Sequence, residues 1–168
     1  MAAAGVLSAQ DRVELIEGEI IDMTPIYPRH ANAVDRIVAA LSRQRTPGLR
    51  IRVQNPLTLG DASEVQPDIA IVADRSYADA HPVARDVRLV IEVSDTTLAF
   101  DRDVKLPLYA RAGVPEIWIV NPPANQVEIF REPAGDRYRH ALTPAPHETI
   151  RPLAAPTIEL KVAETLGG

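Results

Sequence analysis

The pattern of apolar and polar positions predicts a strand over residues 89–95, around which the rest of the chain is organised. Most of these residues are apolar and several are β-branched, but an acid interrupts the run. Because side chains alternate between the two faces of a strand, Glu92 and Ser94 share a face with Val90. That face is expected to be partly buried. A carboxylate there requires a shifted pKa, a partner or a metal ion, because burying an isolated charge is costly.

The same kind of pattern predicts two helices. The first covers about residues 29–45, where apolar residues recur at helical spacing and Thr46-Pro47-Gly48 ends the helix. The second covers about residues 103–112, after a connector over residues 96–102. If Asp103 is its N-cap, Pro107 lies among the first helical residues, whose N–H groups have no partner inside the helix.

Predicted strands fill most of the remaining chain. A short strand or turn of helix precedes Gly18, and a strand follows it to Met23. Further strands are predicted over residues 50–54, 57–59, 68–73, 89–95, 116–121, 126–130, 137–142 and 157–160. This order predicts an α/β fold with a mixed central β-sheet flanked by helices and antiparallel edge strands. The last strand is expected to complete that sheet.

Length and composition narrow the class of protein. The 168 residues, 46% apolar and 24% charged, predict one globular domain over residues 1–168, with a loose N-terminal arm over residues 1–11. Aromatic residues make up only 4%, so Tyr109 and Trp118 are expected in the core. The chain has no cysteine, which excludes disulfides, thiolate metal sites and a cysteine nucleophile.

Charge and hydropathy bear on partners and location. The net charge of −5 argues against bulk attraction to nucleic acid, although acids clustered at a metal ion would be compatible with a nucleic-acid enzyme. The N-terminus is not a convincing signal peptide, and no stretch approaches the ~20 apolar residues of a membrane span. The expected location is therefore the cytoplasm, without membrane association.

Two acids near the ends of apolar strands are the main indication of function. Asp68 begins one strand and Glu92 lies within another, far enough along the chain for a loop and a return strand. If these strands are neighbours, the two carboxylates enter one cleft and repel each other unless a cation is present. Mg²⁺ suits carboxylates, waters and a substrate phosphate. Lys105, in the following helix, is placed to reach the acids if that helix folds back over the strand.

Two segments carry a resemblance to a nuclease superfamily. The pair at residues 67–68 and the segment Glu92-Val93-Ser94 resemble the PD-(D/E)XK signature of restriction-endonuclease-like nucleases. That signature has lysine where this chain has Ser94, but some branches carry the lysine on the following helix, where Lys105 stands. The chain more closely resembles the Uma-type family of bacterial restriction endonuclease-like proteins. That family usually has Asp where this chain has Asn121, which is expected to be a strand-end residue without a catalytic role. The four similar segments are residues 14–20, 65–70, 90–94 and 101–118.

The resemblance implies a restriction-endonuclease-like core and a Mg²⁺-dependent DNA endonuclease that uses metal-activated water. Asp68 and Glu92 would bind Mg²⁺ or Mn²⁺, and Lys105 would be the cationic helper. Glu14 and His30 would lie near the site. DNA is the expected partner, and a homodimer is the expected assembly, because symmetric pairs are the commonest oligomers.

Structural alternatives remain for each of these residues. Asp68 could cap a loop, Glu92 could pair with an arginine, and Lys105 could be a solvated helical charge. His30, at the start of a helix, could face solvent. The serine at position 94 and the acidic net charge also favour a catalytically inactive module, on the same fold, that binds or dimerises. No Gly-rich loop or GxSxG motif supports a sugar- or nucleotide-processing hydrolase.

Overall fold

The computed structural model describes residues 12–44 and 46–166, so the arm predicted over residues 1–11 lies outside the described part of the chain. The strands are β1 (Val13–Ile16), β2 (Glu19–Asp22), β3 (Leu49–Val53), β4 (Leu57–Gly60), β5 (Ser63–Val65), β6 (Ile69–Ala73), β7 (Val87–Val93), β8 (Glu116–Asn121), β9 (Gln126–Ala134), β10 (Arg137–Leu142), β11 (Thr149–Ile150) and β12 (Leu160–Lys161). The α-helices are α1 (Pro28–Ser42), α2 (Leu98–Phe100), α3 (Leu106–Arg111) and α4 (Val162–Leu166). No helix in these ranges has both the length and the apolar character needed to cross a bilayer.

A six-stranded sheet forms the central layer, in the order β10-β9-β8-β7-β6-β3. Strands β7 and β8 run parallel, and the other neighbouring pairs are antiparallel. The predicted mixed sheet with antiparallel edges is therefore confirmed. A second, antiparallel sheet has the order β2-β1-β5-β4.

One apolar cluster packs on each face of the central sheet, and β7 contributes side chains to both clusters. Leu89, Ile91 and Val93 pack in the cluster that includes α1 and the C-terminal segments. Val90 packs in the opposite cluster, with α3 and the small sheet. The predicted alternation of β7 is therefore confirmed, and Glu92 lies on the same face as Val90.

The first predicted helix is present and is somewhat shorter than expected. Helix α1 begins at Pro28, whose missing N–H costs little at the first helical position. It ends at Ser42, and Arg45, the predicted last residue, lies outside the described residues. Its buried stripe packs on the central sheet through Ala33, Val34, Ile37, Ala40 and Leu41.

The start predicted for the second helix was wrong. Helical structure begins at Leu98 and passes through a π-helical turn, Asp101–Lys105, into α3. Asp103 is thus inside the helix and is not its N-cap. The Leu106 N–H bonds to the Asp101 carbonyl, five residues back. Because Pro107 has no N–H to continue the ordinary ladder, the wider turn accommodates the proline without ending the helix.

The end of the chain also differs from the prediction. Strand β12 does not join the central sheet but pairs with β11 as a separate antiparallel ladder. The physical reason is burial: Ile150, Ile158 and Leu160 pack into the apolar cluster beside α1. The C-terminal segment therefore covers a face of the sheet and does not extend its edge.

Candidate active site

Gln54, Asp68 and Glu92 occupy adjacent positions across the central sheet. Strands β6 and β7 pair with Ile69 opposite Ile91, so the register brings Asp68 opposite Glu92. On the other side of Asp68 the Gln54 N–H donates to the Asp68 carbonyl at 3.0 Å. The two acids, distant in sequence, are therefore neighbours on adjacent strands.

The Asp68 carboxylate is held mainly through one oxygen. Oδ2 accepts a hydrogen bond from the Val93 N–H at 2.8 Å and lies 3.0 Å from His30 Nε2. Oδ1 accepts a longer bond, 3.3 Å, from Gln54 Nε2. The side chain is only 13% exposed. Fixing Oδ2 in this way leaves Oδ1 as the oxygen with more remaining capacity to bind a ligand.

Glu92 is held in a similar way. Its Oε1 accepts a bond from the Tyr109 hydroxyl at 2.6 Å and lies 2.9 Å from Lys105 Nζ. Its Oε2 accepts a longer bond, 3.3 Å, from the Asp68 N–H. Burial raises the pKa of Glu92 to about 8, against the opposing effect of the Lys105 charge and with smaller contributions from nearby acids. A cation placed near Oε2 would favour the ionised form of Glu92.

Lys105 lies between two glutamates. Its Nζ is 3.0 Å from Glu14 Oε1 and 2.9 Å from Glu92 Oε1, and its side chain is only 7% exposed. Burial lowers the pKa of Lys105, but the charges of Glu92, Glu14 and Asp101 outweigh burial, so its net pKa is raised. The ammonium group therefore stays charged, and the π-helical turn brings it to the acids.

Glu14 comes from the small sheet that packs over this face. Its Oε1 accepts a bond from the Gln66 N–H at 2.7 Å, in addition to the contact with Lys105. The two other acids of the hairpin, Glu17 and Glu19, are exposed. The choice of Glu14 as the site residue among the three therefore agrees with its position.

Asp101 is a buried site residue that the sequence interpretation overlooked. Its Oδ2 accepts bonds from Ser94 Oγ at 2.7 Å and from Thr97 Oγ1 at 2.6 Å. The pKa of Asp101 is raised, because the effect of burial outweighs the lowering by the charge of Lys105. Ser94, which occupies the position of the signature lysine, thus ties the end of β7 to the first residue of the π-helical turn.

Tyr109 is buried as predicted, but it is more than a core residue. Burial, the charge of Glu92 and the hydrogen bond to it raise the pKa of Tyr109. Its hydroxyl therefore stays protonated and donates a hydrogen bond to Glu92. Gln54 also contacts the site through Asp68. Neither role had a signal in the sequence, although Tyr109 and Asp101 belong to the distinctive segment over residues 101–118.

The side chain of His30 faces Asp68 from the first turn of α1. Its pKa is raised by the hydrogen bond to Asp68, which outweighs the lowering by burial and is reinforced by the charges of Asp68, Glu92 and Asp95. Its Nδ1 is buried and has no hydrogen-bond partner within the described residues. The other histidines of the described ranges, His81, His140 and His147, are exposed.

All five predicted site residues line one pocket with a volume of about 400 Å³. They are Glu14, His30, Asp68, Glu92 and Lys105. Asn121, in contrast, ends β8 and accepts a bond from the Ala124 N–H at 3.2 Å. It serves the turn after the strand, as expected.

The donor set fits a cation that needs few protein ligands. Within residues 12–44 and 46–166, no three His, Asp or Glu side chains converge as a ready-made metal cage. Mg²⁺, however, is commonly held by one or two carboxylates together with waters and substrate phosphates. Asp68 Oδ1 and Glu92 Oε2, the less engaged oxygens of the pair, would suit that mode.

Comparisons with known proteins support the same family of folds. The family model described as "Putative restriction endonuclease" matches residues 5–163. A crystal structure described as "a putative nuclease belonging to DUF820 from Anabaena variabilis ATCC 29413" matches with a TM-score of 0.78 and 16% identity, over 98% of this chain and 95% of that chain. At this identity the likeness concerns the fold alone. A search of curated proteins found no match.

Proposed function

Because the chain belongs to the Uma2 family, whose description is "Putative restriction endonuclease", we propose that it is a metal-dependent endonuclease that hydrolyses phosphodiester bonds in DNA. The observation that carries the proposal is that Asp68, Glu92 and Lys105 lie together in one pocket, with Glu92 and Lys105 buried. Two adjoining carboxylates and a fixed ammonium group are suited to a divalent cation and a phosphate, respectively.

Asp68 and Glu92 would hold Mg²⁺ or Mn²⁺ through their less engaged oxygens. The ion, when bound, would supply positive charge for the phosphate. It would also lower the pKa of a bound water, so that a hydroxide nucleophile is available near neutral pH. His30 and the Val93 N–H keep Asp68 oriented, because both contact the same oxygen of its carboxylate. Tyr109 orients Glu92 in the same manner.

Lys105 would stabilise the negative charge that develops on the phosphate as the bond breaks. Glu14 and Glu92 hold its ammonium group from two sides. This fixed position matters because preorganised charge requires little rearrangement during the reaction. The Ser94–Asp101 bond holds the start of the turn that carries Lys105.

Nicking of a supercoiled plasmid with Mg²⁺ or Mn²⁺ tests the proposal. Asp68→Asn and Glu92→Gln, which preserve the shape of the side chains, should each lower the nicking rate by about 100-fold or more. Asp136→Asn is the matched control, because this aspartate is exposed and lies outside the pocket. Full activity in both site variants would refute the assignment.

A catalytically inactive module that binds or dimerises is the second candidate. It is favoured by Ser94 at the position of the signature lysine and by the net charge of −5. Calorimetry with Mg²⁺ and Mn²⁺ distinguishes the two: no binding at millimolar concentrations favours the inactive module. Sedimentation of the full chain would test the proposed homodimer.

A further inference from the structure

A group of exposed apolar residues stands at the mouth of the proposed nuclease site. Ile26 is 41% exposed and Tyr27 is 49% exposed, and both line the pocket that contains the acids. Exposed apolar side chains grouped at a pocket, unlike scattered ones, indicate a contact surface. A phosphate and a cation, which are both polar, give no reason for an apolar wall at this place.

The backbone holds this wall in position. Pro25 and Pro28 flank the two residues, and proline restricts both its own φ and the conformation of the residue before it. Tyr27 accordingly has an extended backbone, with φ −91° and ψ 159°, and its carbonyl accepts a bond from the Ala31 N–H at 3.0 Å. The wall is therefore preorganised, so binding a ligand there costs little ordering of the chain.

The pocket combines three kinds of chemistry. Its inner part carries the carboxylates and Lys105, and Met23 and Phe100 line it in addition to Ile26 and Tyr27. Arg12 lines the pocket, and the exposed Arg29 forms an ion pair at 3.4 Å with Asp95, which also lines it. A nucleotide combines the matching parts, namely a phosphodiester, a flat apolar base face and neighbouring phosphates.

We infer that Tyr27, with Ile26 beside it, is a stacking platform for an unpaired base next to the scissile phosphate, and that the chain therefore prefers single-stranded to duplex DNA. In a duplex the faces of each base are covered by the neighbouring base pairs, whereas an unpaired base can stack on an aromatic ring. The pocket has a volume of about 400 Å³, and its acids lie at the buried end, where Glu92 is only 3% exposed. These dimensions suit one unpaired nucleotide whose phosphate points inward. This inference rests on the proposed nuclease function.

Binding of a single-stranded oligonucleotide that carries 2-aminopurine tests the platform, with Ca²⁺ present in place of Mg²⁺. Stacking of the probe on Tyr27 should quench its fluorescence, and the wild-type chain should bind the single strand about tenfold more tightly than the same sequence as a duplex. Tyr27→Ala should weaken single-strand binding by about tenfold or more, and Tyr27→Phe, which keeps the ring, should not. Leu153→Ala is the control, since Leu153 is 52% exposed and lies outside the pocket.

The outcomes separate the platform from the nuclease function. Single-strand binding that depends on Tyr27 without cleavage in Mg²⁺ would support the platform and refute the nuclease. Cleavage of single-stranded and duplex DNA at equal rates, unaffected by Tyr27→Ala, would refute the platform and support the nuclease. Absence of DNA binding by the wild-type chain, or single-strand binding unchanged by Tyr27→Ala, would also overturn the inference.

Discussion

Asp68 and Glu92 fix each other's carboxylates through the backbone. The Asp68 N–H donates to Glu92 Oε2 at 3.3 Å, and the N–H of Val93, the residue after Glu92, donates to Asp68 Oδ2 at 2.8 Å. This reciprocity follows from the antiparallel register of β6 and β7. Backbone N–H groups therefore help to orient both acids, in addition to the side chains of His30, Tyr109 and Lys105.

Lys105→Met should destabilise the fold strongly. The substitution keeps most of the side-chain volume but leaves Glu14 and Glu92 buried without their shared cation. Removing one partner of a buried ion pair typically costs about 3–5 kcal/mol. Urea unfolding followed by circular dichroism measures the change in the free energy of unfolding.

A matched lysine and a second substitution check the cause of that loss. Lys161→Met removes an exposed lysine and should change the free energy of unfolding by less than about 0.5 kcal/mol. Adding Glu92→Gln to Lys105→Met should recover part of the stability, because one uncompensated acid is removed. If the double variant is as unstable as the sum of both single variants, the acids and the lysine are not coupled as described.

Tyr109→Phe should lower metal affinity and nicking by roughly 10- to 100-fold, because residues that orient metal ligands typically have effects of that size. The substitution keeps the buried ring and removes only the hydroxyl that donates to Glu92 at 2.6 Å. Calorimetry with Mn²⁺ and the plasmid assay measure the two effects. Tyr138→Phe is the control, since the Tyr138 hydroxyl bonds to the Val114 carbonyl and lies outside the pocket. Equal losses in both variants would argue against an orienting role for Tyr109.

His30 should titrate above its ordinary pKa of about 6.5. The hydrogen bond to Asp68 and the charges of Asp68, Glu92 and Asp95 raise its pKa more than burial lowers it. Since the folded-state pKa is raised, the stabilising contribution is fully present below about pH 6.5 and is lost as pH rises through the folded-state pKa. Histidine ring signals in NMR spectra report the titration of His30 directly.

Two variants complete this pH experiment. Asp68→Asn should move the pKa of His30 downward, whereas it should leave the His147 signals unchanged. His30→Gln should differ from the wild type in unfolding free energy most at pH 5–6 and least at high pH. A stability difference that grows as pH rises would contradict the described pairing.

The sequence was sufficient to predict which side chains lie on each face of β7, but not the structure of the elements that pack over those faces. Alternation alone put Glu92 on a buried face, because the period of a strand is fixed by its geometry. The π-helical turn was missed because Pro107 is compatible both with a helix start at Asp103 and with a widened turn inside a longer helix. Periodicity does not distinguish these two backbones.

Tertiary pairing explains the other differences. The hydroxyl of Tyr109 finds its acceptor on β7, and nothing in the local sequence specifies the partner of a buried hydroxyl. Likewise, the sequence of the extended segment near Leu160 does not specify which strand it pairs with. The segment is buried beside α1, where it pairs with β11. Features set by local backbone geometry were thus predictable, whereas pairings between residues distant in sequence were not.

The Ser94–Asp101 bond should couple energetically to catalysis. Ser94→Ala removes one hydroxyl donor from a buried carboxylate and should destabilise the fold by about 1–2 kcal/mol. Because Asp101 begins the turn that carries Lys105, nicking should also fall, with kcat affected more than KM. In a double-mutant cycle with Asp101→Asn, the two losses should be clearly less than additive, since both remove the same bond. Thr97→Val, which removes the other donor to Asp101 at 2.6 Å, is the matched variant. If Ser94→Ala and Asp101→Asn add fully in nicking rate, Ser94 does not act through Asp101.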